Sequence, residues 1–214
     1  MRFKFAIIGT GNVGKALGTS FLRAGHKVTY IASTAASTQE AVRIVGGESA
    51  DSIADAVRDA DAIVLAIPYS AVEQVATELA PVVGDKLVID VTNPLNADST
   101  GLATREGQSA AEYIAELLPG ARVVKAFNTL FASVQENPNT HGVEIDALFA
   151  TDDARARAQT ADLLRTLSFR PVFVGPLARA HELESIAFMN ISLQMQDQGA
   201  WRTAIKLVQP TNEG

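Results

Sequence analysis

The 214-residue chain contains no cysteine, and this absence removes several classes of chemistry. Disulfides, thiolate catalysis, iron–sulfur clusters and cysteine-based zinc sites are excluded. The three histidines, His26, His141 and His181, lie far apart without metal-ligand spacing, so we expect no metal site. Positive charge is also scarce, because 24 Asp and Glu residues outnumber 18 Lys and Arg residues. The net charge of −6 argues against nucleic acid or an anionic membrane surface as a partner.

Long hydrophobic runs are absent as well. No apolar stretch approaches the ~18–20 residues that cross a bilayer, and the N-terminus reaches Gly9 too early for a signal peptide. The chain does have 47% apolar residues against 20% charged residues, which is enough apolar surface to form a core. We therefore expect a globular, cytoplasmic protein built around one domain.

Short apolar runs bounded by turn residues predict strands, and helical periodicity lies between them. Strands are predicted at residues 3–8, 27–32, 62–67, 87–91, 122–127, 147–151 and 171–174. Helical stripes occupy residues 13–24, 72–79, 110–117 and 160–167. This alternation predicts an α/β fold, a Rossmann-type doubly wound, mainly parallel sheet. We expect a domain built on this sheet over residues 1–178 and a small helical part over residues 179–214, packed on that domain.

Two polar segments and one apolar helix interrupt this rhythm. Segments 96–108 and 129–142 each follow a predicted strand. We interpret them as loops at the ligand-binding edge of the sheet, with simple surface connections as the alternative. The helix predicted over residues 182–198 has apolar residues on more than one side, which favours burial on more than one side. We expect one side of this helix to pack on the domain and another side to be buried in a homodimer interface.

A glycine-rich hexamer carries the clearest chemical signal. It follows the first predicted strand, opens the first helix and fits the G-x-G-x-x-G pattern of dinucleotide-binding proteins. In that pattern Gly9 permits a tight turn, Gly11 allows close approach of a pyrophosphate, and Gly14 allows close helix–strand packing. The candidate cofactor-binding residues here are Gly9, Thr10, Gly11, Asn12, Val13 and Gly14.

The end of the second predicted strand bears on cofactor choice. NAD-preferring sites usually have a carboxylate there, but none occurs before Glu40. The hydroxyls of Ser33 and Thr34 are able to bond a 2′-phosphate, which favours NADP. The alternative is an ordinary Ser/Thr-rich turn that caps the second helix.

Three further strand ends point to the same side of the predicted sheet. Ala66, Ile67 and Pro68 are expected to pack on the nicotinamide ribose, and the amides of Asn93 and Asn128 are suited to orient a carboxamide or an acceptor ring. Turn formation is the alternative role of asparagine. Lys125 is the cation of its strand, and it either contacts phosphate or substrate or pairs with a carboxylate.

These segments together resemble a known family. The glycine hexamer, the Ala66-Ile67-Pro68 turn, the Val-Thr-Asn-Pro of residues 91–94, the Lys-Ala-Phe-Asn of residues 125–128 and the Gly-Pro-Leu of residues 175–177 resemble the NADPH-dependent coenzyme F420 reductases. The pattern also resembles the cytosolic flavin-reducing domain of the STEAP metalloreductases. The resemblance runs in order over about residues 2–205.

The resemblance implies a Rossmann domain with a small helical C-terminal part, a homodimer, and direct hydride transfer between NADP(H) and a deazaflavin (coenzyme F420) or FMN/FAD. No side chain then serves as catalytic acid, base or nucleophile. The family often has Ser-Arg or Arg-Arg after the second strand, where this chain has Ser33 and Thr34. The alternatives are an NADPH-dependent reductase of a small carbonyl or imine, which needs a general acid, and a non-catalytic NADP(H)-sensing module.

Overall fold

The computed structural model describes residues 2–208, apart from the side chains of residues 140 and 141. Within this range the strands form one sheet in the order β3-β2-β1-β4-β5-β6-β7-β8. The strands are β1 (Lys4–Ile8), β2 (Lys27–Ile31), β3 (Glu48–Ser49), β4 (Ala62–Leu65), β5 (Leu87–Asp90), β6 (Arg122–Ala126), β7 (Ile145–Ala150) and β8 (Phe169–Gly175). The α-helices are α1 (Asn12–Arg23), α2 (Ala35–Val45), α3 (Ile53–Arg58), α4 (Val72–Val83), α5 (Ala110–Leu117), α6 (Ala132–Glu136), α7 (Ala154–Thr166) and α8 (Ala180–Gln196).

The strand order reverses at β1. Strands β2 and β3 lie on one side of it, and β4, β5 and β6 lie on the other, all paired in parallel. Strand β7 pairs antiparallel with β6, and β8 then runs parallel to β7. The order 3-2-1-4-5-6 is that of the Rossmann fold, in which ligands bind outside the carboxyl ends of the strands at the reversal. The predicted Rossmann-type, mainly parallel sheet is confirmed.

Helices cover both faces of this sheet. Strand β4 is buried at every residue, as its unbroken apolar sequence predicts for a strand covered on both faces. Apolar side chains of α1, α2, α6 and α7 belong to one core cluster. Those of α3, α4 and α5 belong to the other. The candidate site lies at the carboxyl edge of the sheet, between these two layers of helices.

Side-chain caps fix where several helices begin. Thr34, Ser52, Ser109 and Asp153 each accept a hydrogen bond from the backbone N–H three residues later. Ser109 and Glu112 form a capping box, because Glu112 also accepts from the Ser109 N–H. A cap of this kind contributes about 1 kcal/mol to helix stability.

The short elements are where the prediction differs from the structure. Strand β3 and helix α3 were not predicted, because two and six residues are too few to show periodicity. The interpretation of segment 129–142 as a loop is wrong in part, since it contains α6 and a 3-10 turn at Pro138–His141. Buried Gln135 stabilises α6 by donating hydrogen bonds to the carbonyls of Phe127 and Leu130.

Helix α8 packs against the antiparallel end of the sheet. Its Leu183 clusters with Leu148 and Ala150 of β7. Residues 197–208 follow without regular structure, and residues 209–214 of the predicted C-terminal part lie outside the described residues. The division of the chain at residue 178 stays a prediction. Over residues 2–208, no helix is both long and apolar enough to cross a membrane.

Candidate active site

The glycines of segment 9–14 differ in what surrounds them. Gly9 has a φ of +106°, and a Cβ there would lie 2.1 Å from the Ala66 carbonyl oxygen. A Cβ at Gly14 would lie 2.1 Å from the Gly9 carbonyl oxygen. A Cβ at Gly11 would meet no atom within 4 Å. Gly9 and Gly14 therefore serve the turn and the packing of α1, whereas Gly11 borders open space.

Helix α1 begins at that open space without a side-chain cap. Gly11 is its N-cap residue, no side chain bonds the first turn, and the first turn holds no acidic residue. Helices α2, α3, α5 and α7 instead have a capping hydroxyl or carboxylate. The first-turn N–H groups of α1 and the positive end of its dipole thus form an arrangement suited to an anionic group.

A cleft of about 660 Å³ runs along the carboxyl ends of β1, β2 and β4, and we call it the first cleft. It brings together many of the predicted cofactor residues. Its lining is formed by Ile8, Gly9, Thr10, Gly11, Ile31, Ala32, Ser33, Ser37, Asp51, Ser52, Ile53, Ala66, Ile67, Pro68, Ala71, Gln74, Val75 and Glu78. Asn12, Val13, Gly14, Thr34 and Asn93 do not line it.

The two hydroxyl residues after β2 have different roles. Ser33 lines the first cleft. Thr34 caps α2, because its Oγ1 accepts from the Ser37 N–H at 3.1 Å and donates to the Ser37 Oγ at 2.8 Å. Thr34 therefore matches the alternative of a helix-capping turn. The described lining of the first cleft includes the carboxylates of Asp51 and Glu78 but no lysine or arginine.

A second cavity of about 340 Å³ opens on the other side of the glycine turn. Val13 and Asn93, two predicted cofactor residues, line it together with Asn128. Its remaining lining is formed by Leu95, Ser99, Thr129, Leu130, Phe131, Ala132, Ala187, Asn190, Ile191, Met195 and Trp201. Among these described lining residues, none has an acidic or basic side chain.

Two asparagines from neighbouring strand ends form a reciprocal amide pair in this cavity. Asn93 Nδ2 donates to the Asn128 carbonyl, and Asn128 Nδ2 donates to Asn93 Oδ1, both at 3.1 Å. Asn128 Nδ2 also donates to the Leu183 carbonyl of α8 at 3.0 Å. Phe127 has a left-handed φ of 64°, which turns the chain at the end of β6 and so orients Asn128. Asn128 is 5% exposed, and its Oδ1 is buried without a hydrogen-bond partner.

Lys125 lies beneath the amide pair rather than on its surface. Its fully buried ammonium donates to Asp90 Oδ2 at 2.8 Å and to the Thr92 carbonyl at 2.7 Å, and lies 2.9 Å from Glu184 Oε1. Burial alone would lower the Lys125 pKa, but the two carboxylates outweigh it and raise that pKa. Burial also raises the pKa of Glu184. The prediction that Lys125 contacts substrate is therefore wrong, and its alternative role as the partner of a carboxylate is the one the structure has.

Several lining residues of the second cavity were not predicted. Leu95, Phe131 and Trp201 come from segments far apart in sequence, so no local motif contains them. A signal was present for α8, because Asn190 and Gln194 are polar residues in the mainly apolar stretch of residues 186–195. Both are 7% exposed. Buried polar residues of this kind need partners, and here they contact the chain beyond the helix.

Comparisons with known proteins agree with this architecture. Residues 4–94 match the family described as "NADP oxidoreductase coenzyme F420-dependent". A crystal structure of a candidate F420-dependent NADP-reductase from an Arthrobacter species superposes with a TM-score of 0.84 at 26% identity, covering 96% of this chain and all of that one. Among curated relatives, the chain is 29% identical to the metalloreductase STEAP3 of Rattus norvegicus over 86% of its length. It spans only 36% of that longer relative.

A relative of matching length shows to which family this chain belongs. The F420-dependent NADP reductase of Methanothermobacter thermautotrophicus is 32% identical over 215 aligned positions, covering 92% of both chains. The resemblance identified from the glycine turn and the strand-end motifs is thereby confirmed. The chain belongs to the family of coenzyme F420-dependent NADP oxidoreductases.

Proposed function

We propose that this protein transfers a hydride directly between NADP(H) and a flavin-like ring in the cytoplasm, with coenzyme F420 as the favoured acceptor and FMN or FAD as further acceptors. The observation that carries the proposal is the second cavity. It adjoins the glycine-rich segment through Val13, and its described lining holds no acidic or basic side chain. A site of this kind positions two rings and leaves the electronics to the cofactors.

The dinucleotide fits the first cleft in the orientation that the glycine turn favours. The pyrophosphate lies against Gly11 and the first turn of α1, beside Thr10 and Asn12. The adenosine half extends towards Ser33, between the ends of β1 and β2. In this orientation Ile67 and Pro68, which line the first cleft, would pack on the nicotinamide ribose. The nicotinamide would extend past Val13 towards the second cavity.

The cofactor preference follows from the hydroxyls of the first cleft. Ser33 and Ser37 are placed to bond a 2′-phosphate, and the N-terminus of α2 lies beside them. Asp51 and Glu78 work against that preference because they add negative charge to the same cleft. We therefore propose an NADP preference that is smaller than an arginine site gives, since charge-assisted hydrogen bonds are about twice as strong as neutral ones.

The amide pair orients the reacting rings. Asn128 Oδ1 is a buried acceptor without a partner, so it has lost its hydration without gaining a hydrogen bond, and a ligand N–H would supply that bond. The carboxamide of a nicotinamide and the ring N–H of a deazaflavin or flavin are both donors of the required kind. The Leu183 carbonyl and Asn93 hold the amide so that this oxygen stays available.

The arrangement argues against a carbonyl or imine reductase. Such an enzyme needs a general acid within hydrogen-bond reach of the substrate. Lys125 of strand β6 is fully buried in its ion pairs. Placing two rings in contact removes much of the barrier by proximity alone, so hydride transfer needs no such group.

The test is anaerobic oxidation of NADPH by the purified protein with coenzyme F420, FMN and FAD as separate acceptors. We expect turnover with at least one of them, fastest with coenzyme F420. Absence of turnover with all three, together with tight NADPH binding by calorimetry, would support a sensing module instead. Turnover with a small imine and none with the three rings would support the imine reductase.

We also propose a homodimer. One side of α8 packs on the sheet, whereas Met189 and Leu193 are 54% and 48% exposed on its outer side. A second subunit is the proposed cover for these residues. Sedimentation at micromolar concentration should give a dimer, and Leu193→Glu should shift it towards monomer. A monomeric wild-type protein would reject the proposal.

A further inference from the structure

The chain beyond α8 returns across the molecule and forms one wall of the second cavity. We call residues 197–208 the strap. The strap has no regular secondary structure, so specific contacts must define its path. Trp201 lines the second cavity, and the chain contains no other tryptophan.

Two buried amides of α8 hold the first half of the strap. Gln194 Oε1 accepts from the Trp201 N–H at 2.9 Å, and Asn190 Oδ1 accepts from the Thr203 hydroxyl at 2.7 Å. The strap passes so close to Gln194 that a Cβ at Gly199 would lie 2.3 Å from its Oε1. These contacts fix the backbone on both sides of the indole.

A buried carboxylate holds the far end of the strap. Asp146 of β7 is fully buried and accepts from Lys206 Nζ at 3.0 Å and from the Leu207 N–H at 2.7 Å. Arg170 of β8 pairs with the same carboxylate and also donates to the Leu207 carbonyl at 2.9 Å. Burial opposes ionisation of Asp146, but these hydrogen bonds outweigh it and lower its pKa to about 2. The strap is therefore fixed at both ends.

The indole of Trp201 is held against α6 and stays open to the cavity. It makes an edge-to-face contact with Phe131 at a ring-centroid distance of 5.3 Å, and the Ser133 hydroxyl donates to the Trp201 carbonyl at 2.5 Å. Trp201 has a left-handed φ of 53°, a conformation that its neighbouring contacts must impose. The residue is nevertheless 43% exposed. The indole is thus held in place by Phe131 and the backbone contacts, and a large part of its aromatic surface is left uncovered by other residues of the protein.

We propose that Trp201 determines acceptor specificity: its indole forms the aromatic wall against which the planar acceptor ring packs, and the strap positions it. The proposal rests on the function proposed above and adds the residue that favours planar acceptors over small non-planar substrates. Planar rings pack on aromatic side chains with little regard to their peripheral groups. A wall of this kind therefore accepts deazaflavin and flavin alike and disfavours small non-planar carbonyl or imine substrates.

The test compares Trp201→Ala and Trp201→Phe with the wild type in steady-state NADPH oxidation with coenzyme F420 and with FMN. We expect Trp201→Ala to raise the acceptor KM roughly 5- to 150-fold, the range expected for loss of a stacking partner. The NADPH Kd from calorimetry should be unchanged, because Trp201 does not line the first cleft. Trp201→Phe should recover most of the loss, since it keeps an aromatic face.

Two further variants distinguish the effect of losing the indole of Trp201 from the effect of disturbing the surrounding structure. Thr203→Val removes the hydrogen bond to Asn190 and keeps the indole, so it should raise the acceptor KM in the same direction but less. Ile44→Ala removes an apolar side chain of α2 that is 55% exposed and lines neither cavity, so it should change nothing.

The failure of this proposal and the failure of the proposed function have different signatures. Wild-type turnover with an unchanged acceptor KM in Trp201→Ala would overturn the role of Trp201 and leave the function standing. If equilibrium dialysis shows acceptor binding that depends on Trp201, but the protein oxidises no NADPH, the aromatic wall is supported and the proposed function is rejected. No acceptor binding by the wild type would overturn both.

Discussion

The first cleft and the second cavity lie on either side of one glycine turn, yet they are built in different ways. The first cleft takes much of its lining from short segments at the ends of β1, β2 and β4. The second cavity takes its lining from α1, α6, α8, two strand ends and the strap, which are distant in sequence. The proposed dinucleotide site is thus formed mainly by short strand-end segments, whereas the proposed acceptor site depends on tertiary contacts between distant segments.

The largest expected effect is on stability, and it comes from the buried ion pairs of Lys125 with Asp90 and Glu184. Lys125→Met would leave the carboxylates of Asp90 and Glu184 buried without their cation. We expect a loss of about 3–5 kcal/mol in the free energy of unfolding, measured by urea denaturation. The turnover number per folded molecule should change little, because Lys125 touches neither cavity. A stable variant with abolished turnover would instead assign Lys125 a catalytic role.

Two glycine substitutions sharpen the description of the first cleft. Gly11→Val adds a side chain where no protein atom lies within 4 Å, so the melting temperature should stay close to that of the wild type. The NADPH Kd should rise at least about 100-fold, equivalent to ~2.7 kcal/mol, because the pyrophosphate loses its approach. Calorimetry measures the affinity, and unchanged binding would remove the assignment.

Gly14→Val is the matched control. Its Cβ would meet the backbone oxygen of Gly9 at 2.1 Å, so this variant should lose stability rather than binding alone.

Asn128→Ala tests whether the amide pair serves both structure and ligand. It removes the two hydrogen bonds that Asn128 Nδ2 donates to Asn93 Oδ1 and to the Leu183 carbonyl, so we expect a loss of about 1–3 kcal/mol in the free energy of unfolding. The acceptor KM should rise and turnover should fall, while binding of an adenosine nucleotide in the first cleft stays unchanged. Wild-type kinetics in a destabilised variant would leave Asn128 with a structural role only.

What the sequence could predict follows the same division. Gly9, Gly11 and Gly14 were predicted with their separate geometric roles because each role depends on residues a few positions away or on the next strand. The amide pair was predicted only as two strand-end asparagines, since its hydrogen bonds join β5 to β6. The burial of Lys125 depends on Glu184 of α8, 59 positions further along the chain, and no local pattern reports such a partner. Trp201 reaches the cavity only because the strap is held by Asp146, Asn190 and Gln194.

The smallest expected effect concerns cofactor preference in the first cleft. Without an arginine or lysine in the described lining, the NADPH Kd should be lower than the NADH Kd by less than the ~10-fold that 1.4 kcal/mol gives. Ser33→Arg should widen this difference by pairing with the 2′-phosphate. Equal affinities in the wild type, or a preference for NADH, would contradict the proposed use of the hydroxyls.

Direct hydride transfer is the central claim, and isotope transfer tests it most directly. NADPH deuterated at C4 should deliver its label to the acceptor carbon of coenzyme F420, with no loss to solvent. The rate should vary between pH 6 and 8 by far less than the roughly 10²–10⁴-fold that general acid–base catalysis contributes, because no acidic or basic group lines the described second cavity. Label lost to water, or a steep bell-shaped pH profile that collapses in Lys125→Ala, would contradict the account.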